Sequence, residues 1–143
     1  MKNDAIRLAR GQRNCNPMNI IRNNSAWKGM KEKQTDKQFI QFESTAYGIR
    51  AAIILLTKYH AYQGLRQVPT IVHRWAPDGG DAERNYIRFV TNELGRVDVE
   101  DTKHDLYNMM KAMCFFESHY VLSERVFEDA MKLVPVQYSK YWR

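Results

Sequence analysis

Glu117 stands where a carboxylate is poorly solvated. Leu106, Met109, Met110, Met113 and Phe116 recur at three- and four-residue spacing, the pattern of a buried helical stripe over residues 102–119. Glu117 falls on that stripe, one turn beyond Met113 and two beyond Met110, so its side chain projects towards the apolar side. It also lies in the last turn, where the helix dipole disfavours negative charge. Apolar neighbours and a C-terminal dipole end both raise a carboxyl pKa, which keeps a proton available near neutral pH for general-acid chemistry. The competing reading is a helix-end acid whose head group reaches water beside Ser118. No other cluster rivals it. His60, His73, His104 and His119 lack HxxxH spacing and Cys15 and Cys114 lack CxxC spacing, so neither a metal nor a cofactor is expected. Separate, reduced thiols are the expectation, with a Cys15–Cys114 bridge as the alternative. Cys114 and His119 are five apart on one helix and face different directions, a poor geometry for a thiol–imidazole nucleophile.

The chain that must position this acid has 143 residues, 44% hydrophobic and 12% aromatic, enough for one self-folding domain over residues 1–143. No apolar run approaches the roughly 20 residues of a membrane helix, and residues 1–11 lack the apolar centre of a secretory signal. The expectation is synthesis in the cytoplasm without a signal peptide. Twenty-two Lys and Arg against sixteen acids give a net charge of +6, which suits an anionic partner. The basic residues are spread along the chain and no nucleic-acid motif is present, so no specific nucleic-acid contact is expected.

Turn chemistry and periodicity then predict the elements. A short initial helix and an Asn-rich loop run to about Asn24, and two short strands around the polar KEKQTDKQ segment lie between Ala26 and Phe42. Ser44 caps a helix with Ile49, Ala52, Ile53, Leu56 and Tyr59 inward, ending near Gly64. Pro69 opens a short helix containing Trp75, Asp81 caps the next, with Tyr86, Ile87, Val90 and Leu94 inward, and the Glu117 helix follows. A last helix starts at Ser123 and stops before Pro135. The fold class expected is mainly α (α+β), helical with one small hairpin near the N-terminus.

Three strings, RNCNPMNIIR (Arg13 to Arg22), FIQFESTAYGIRAAIILLTKY (Phe39 to Tyr59) and HRWAP (His73 to Pro77) followed by Tyr86-Ile87, together resemble a phage and prophage family of lysozyme-like proteins. The resemblance covers residues 10–90 well and the rest weakly. The early block is also similar to bacterial glucosaminidases that cut cell-wall glycan, in which the catalytic Glu ends a helix preceding the Asn-rich loop. Little chain precedes Arg13 here, so the order reads as circularly permuted, with the Glu117 helix in the place of the missing one. Met18 stands where the family usually has Gly, Cys15 where Asn is common, Ile21 interrupts the Ile-Arg pair, and Ser118-His119 follow the acid instead of Asn-Gly.

The resemblance implies a lysozyme-like fold and cleavage of peptidoglycan glycan strands, at the cell wall or within a virion, with virion proteins as further partners. Such cleavage needs an acid for the leaving oxygen, and either negative charge with an activated water or a substrate group to meet the oxocarbenium-like carbon. Glu117 is the expected proton donor. Glu43 is the expected second carboxylate, because Ser44 caps the helix behind it and a helix N-terminus favours the ionised form; its alternative is a merely favourable charge before an N-cap. Without Glu43 the substrate supplies the nucleophile, as in a lytic transglycosylase. Asn14, Asn16 and Asn19 would offer amides to sugar hydroxyls or N-acetyl groups, or else satisfy their own turns. Of the flat rings Trp27, Tyr47, Trp75 and Tyr86, Tyr47 is the expected substrate contact because it lies near Glu43, core packing being the alternative for all four. A catalytically inactive virion or wall-binding protein on the same fold is the competing function, and a basic nucleic-acid-binding domain the third.

Overall fold

The computed structural model describes residues 8–143, so the first seven residues of the expected initial segment lie outside it. The described helices are α1 (Arg10–Arg13), α2 (Thr45–Thr57), α3 (Val68–Trp75), α4 (Asp81–Leu94), α5 (Lys103–Ser118), α6 (Glu124–Leu133) and α7 (Val136–Ser139), and a π-helical turn, Lys58–Tyr62, prolongs α2. The chain is mainly helical, as its periodicity implies.

Helix α2 is the axis of the core. Ser44 Oγ caps it by accepting the Tyr47 amide at 3.4 Å, and Gly48, Ile49, Ala51, Ala52, Ile53, Ile54 and Leu56 are all buried. Burial on every side makes it a core helix and not a surface one. Helix α6 packs along it, α3 packs against α4, α4 against α5, and α1 against the end of α5. Gly48 is where the Asn-rich loop touches α2: a Cβ there would come within 2.1 Å of the Cys15 carbonyl oxygen, a backbone atom that cannot swing away. Gly48→Ala is therefore expected to destabilise the protein by about 2–4 kcal/mol, read as a lower urea midpoint at unchanged slope.

The expected hairpin between Ala26 and Phe42 does not form. The segment makes only isolated antiparallel bridges, Met30 to Phe42 within it and Phe39 back to Ile21 before it. Side chains take the backbone groups a ladder would need. Asp36 Oδ1 accepts the Gln38 and Phe39 amides, Gln41 Oε1 the Thr35 and Asp36 amides, and Gln34 Oε1 the Gln41 amide. This is the local competition by which polar side chains displace sheet pairing. Arg10 clamps the same loop, its guanidinium holding both Asp36 oxygens at 2.7 Å and lying over Phe39.

Helix α5 matches its expected limits closely, with Thr102 Oγ1 capping it through the Asp105 amide and His119 ending it. Leu106, Met109, Met110 and Met113 are buried, but Phe116 is 38% exposed, a correction to the stripe read from the sequence. Tyr86 of α4 stacks on Phe116 at 4.2 Å and Phe89 lies 5.8 Å from it, so the ring packs among aromatics at the surface. Helix α7 was not anticipated. It carries the chain to Trp142, which is buried and donates Nε1–H to Thr57 Oγ1 at 2.8 Å, fixing the end of α2.

Candidate active site

Helix α5 ends at Ser118 because His119 takes the left-handed conformation, φ +53°, and its amide and that of Tyr120 fold back to the Phe115 and Cys114 carbonyls. That closure satisfies terminal carbonyls and fixes the direction of the last turn. Glu117 is thereby held half-buried beside Asn19 of the loop. Asn19 Nδ2 donates to Glu117 Oε1 at 2.9 Å and lies 3.3 Å from the Glu117 carbonyl oxygen. Asn19 also has a left-handed backbone, φ +55°, so the acid is flanked by two non-glycine residues in a costly conformation, a pattern that clusters at functional sites.

Burial raises the Glu117 pKa above its ordinary value, while the Asn19 hydrogen bond and the neighbouring Tyr86 hydroxyl pull it back in part. Tyr86 is buried, and its hydroxyl faces the carboxyl without forming a well-made hydrogen bond. Asn19 Oδ1 and Ser118 Oγ are likewise buried without partners, and both lie within 3 Å of where a side chain on Gly11 would begin. Three unpaired polar groups beside one sheltered acid are energetically costly and mark this corner as more than packing.

The rest of the Asn-rich loop does a different task. Asn16 is fully buried; its Nδ2 donates to the Ile20 and Ile40 carbonyls at 3.0 and 2.9 Å, and its Oδ1 accepts the Ile20 amide at 2.9 Å. Asn14, also buried, donates to Asp36 Oδ2 at 3.0 Å and accepts from Gln41 at 3.2 Å. Both amides are spent inside the protein, and the Asn16 carbonyl also accepts the Asn19 amide at 2.9 Å, which fixes Asn19 beside the acid.

Two adjoining hollows meet at Ile21 and Pro77. One, about 400 Å³, is lined by Glu117, Tyr86, Phe116, Asp78 and Glu83 among others. The other, about 320 Å³, is lined by Asn19, Asn23, Tyr59, Arg74 and Trp75 among others. Together they make a groove past the acid, in the size range of small-ligand sites. Trp75 and Tyr86 are thus at the groove. Glu43 and Tyr47 line neither hollow: Glu43 is exposed, and Tyr47 packs against the backbone of Gly29.

Sequence reasoning missed Glu83. It lines the Glu117 hollow and its Oε1 accepts the Asp78 and Gly79 amides, each at 2.9 Å, while His73 Nδ1 lies 2.9 Å from Oε2. Those amides, with His73, hold its pKa down at about 2. The signal was present in PDGGDAER: a Glu three residues after the Gly80 cap is placed to reach back to the amides before the helix. Two carboxyls lining one hollow thus have pKa values pushed apart, one up and one down, which separates a proton-holding acid from an anion. Because the folded pKa of Glu83 lies below its ordinary 4.5, its stabilisation is complete above that pH and is lost as the pH falls towards 2. Melting curves are expected to drop through that window, and Glu83→Gln, less stable at neutral pH, to drop less.

Cys15 and Cys114 are free thiols, Cys114 being buried with a raised pKa, which leaves it a weak nucleophile. Among the described residues no group of three or more His, Cys, Asp or Glu converges to hold a metal ion, and no helix is long and apolar enough to cross a membrane.

No family model matches the chain. A search of curated proteins finds Protein P5 of Pseudoalteromonas phage PM2, 39% identical over 90 residues, which are 61% of this chain and 56% of that protein. The chain is similar to a phage protein. The similarity supports a phage origin; it spans about half the length of that relative, whose name states no activity.

Proposed function

We propose that the protein cleaves the glycan strand of bacterial peptidoglycan by general-acid catalysis, as a phage-derived enzyme of lysozyme or lytic transglycosylase type on a lysozyme-like fold. The observation that carries this reading is Glu117: a sheltered carboxyl with a raised pKa, at a sharply closed helix end, on the wall of a groove. Glu117 protonates the glycosidic oxygen as the bond to the anomeric carbon breaks. The ionised Glu83 carboxylate supplies negative potential on the same wall, but its oxygens already accept hydrogen bonds, so it is poorly suited to attack carbon or to activate water. With Glu43 outside the groove, the transglycosylase route is the better fit: a hydroxyl of the substrate closes on the anomeric carbon and releases an anhydro end.

The test is a zymogram on purified cell wall with the parent and Glu117→Gln side by side. Clearing by the parent alone is expected, with soluble products lighter by one water than hydrolysis would give. Clearing that survives the substitution overturns the assigned acid. A wall-binding or virion structural protein is the second reading, favoured by the absence of Glu43 from the groove; co-sedimentation with cell wall without any clearing is its signature.

A further inference from the structure

The groove beside Glu117 is electrically lopsided. Its acid end carries three carboxyls, Asp78, Glu83 and Glu117, and no basic residue among those lining it. Beyond Ile21 and Pro77, Arg74 is the only charged residue among those lining the second hollow. Arg10, Arg84, Arg96 and Arg143 lie against Asp36, Asp81, Asp105 and Asp101, and His73 against Glu83. Arg74 has no carboxylate partner among the described residues. It is nonetheless positioned, because its guanidinium lies over the Tyr59 ring, 4.6 Å from the centroid. That ring is itself held edge-on against Trp75 at 6.1 Å. Stacking on a fixed ring restricts the side chain while leaving the N–H fork unused, and an unused fork matches a carboxylate in two-point geometry.

We propose that the Arg74 hollow is a carboxylate-binding subsite, which makes the preferred substrate an anionic saccharide, a peptide-free strand with free lactyl carboxylates, one of which sits past Ile21 and Pro77 from the scissile bond. The inference rests on the glycan-cleaving reading and adds to it the substrate's charge and its direction in the groove. A carboxylate is repelled from the Asp78–Glu83 end and drawn to Arg74, so the strand lies in one orientation. A neutral glycan has no such preference. Asn23, exposed at the rim of the hollow, provides an amide N–H for the uncharged part of the sugar.

The test uses calorimetric binding to Glu117→Gln protein, in which cleavage is silent, with three tetrasaccharides. One carries free lactyl carboxylates on its muramic residues, one has those lactyl groups capped as neutral amides, and one is the N-acetylglucosamine tetramer. The free-acid tetrasaccharide is expected to bind about five- to tenfold more tightly than the other two at low salt, the preference shrinking as salt screens it. Arg74→Gln added to the same background is expected to erase the preference, the free-acid tetrasaccharide then binding no more tightly than the other two. Arg74→Lys is expected to keep part of it, as a charge without the fork. Equal affinity for all three, or a preference that survives Arg74→Gln, overturns the subsite; wall clearing by the parent protein then still upholds the glycosidase. Binding to none of the three overturns the subsite, and if the parent also clears no wall the glycosidase reading falls separately.

Discussion

Glu117→Gln is expected to lose about 10²- to 10⁴-fold in the rate of wall cleavage, the usual contribution of a positioned general acid, and at the same time to melt at a higher temperature near neutral pH. The two effects have one cause. A carboxyl whose folded pKa is raised above its unfolded value binds a proton more readily in the native state, so its ionisation at higher pH works against folding. The penalty is absent below the ordinary carboxyl pKa of 4.5, grows as the pH rises to the shifted value, and is constant above it. Glutamine removes the charge and keeps an acceptor for Asn19 Nδ2. A gain of about 1 kcal/mol, or roughly 3 °C in Tm, is the size expected of relieving one functional-site liability in a domain of this length. Melting parent and variant at acid and neutral pH checks it: the gain is expected at neutral pH and not at pH about 4. A variant that is inactive and also less stable at both pH values contradicts the proposed origin of the shift.

Asn16→Ala is expected to be among the most damaging substitutions outside the hydrophobic core. It removes three buried hydrogen bonds at once and strands the Ile20 amide and the Ile40 carbonyl, while the Ile20 carbonyl keeps the Ile40 amide at 3.0 Å. At about 1–3 kcal/mol for each buried group left unpaired, partly recovered by relaxation, the loss is about 3–4 kcal/mol. The urea midpoint is the measurement. Since Asn16 is fully buried, the defect is in stability and in the placement of Asn19, and any remaining folded protein is expected to bind neutral glycan more weakly and not to lose it. Asn16→Asp, which would turn a buried carboxylate oxygen onto the Ile20 and Ile40 carbonyls, is expected to be at least as damaging as alanine at neutral pH.

Much of this molecule is legible locally. The limits of α5 and α6 follow from Thr102 and Ser123 as caps, and the sheltered position of Glu117 from the spacing of Met110 and Met113, because both are contacts within one helix. The left-handed His119 that turns the chain away from the acid carries no comparable signal, since only a few per cent of non-glycine residues adopt it. The Asn-rich loop was legible as important but not in its division of labour. Asn14, Asn16 and Asn19 are the same residue type within six positions, and only the arrival of Asp36, Ile40 and Glu117 from distant segments decides which amide is internal and which meets the acid. Glu43 looked like the partner carboxylate because its neighbour caps α2, an inference about its charge that says nothing of which way the groove runs. Glu83 lies on the groove through the packing of α4 on α5, a long-range fact that its capping spacing alone does not contain. The hairpin failed for a reason that was in the sequence after all: Gln34, Asp36 and Gln41 are the residues whose side chains outbid a ladder.

The most direct measurement is of the Glu117 carboxyl itself. In protein labelled with carbon-13 at glutamate side chains, with Glu117→Gln identifying the resonance, the Glu117 carboxyl carbon is expected to titrate above the ordinary 4.5, and the Glu83 carbon near 2. A Glu117 resonance that titrates at or below 4.5 contradicts the account, because an acid already ionised in the groove has no proton to give the glycosidic oxygen.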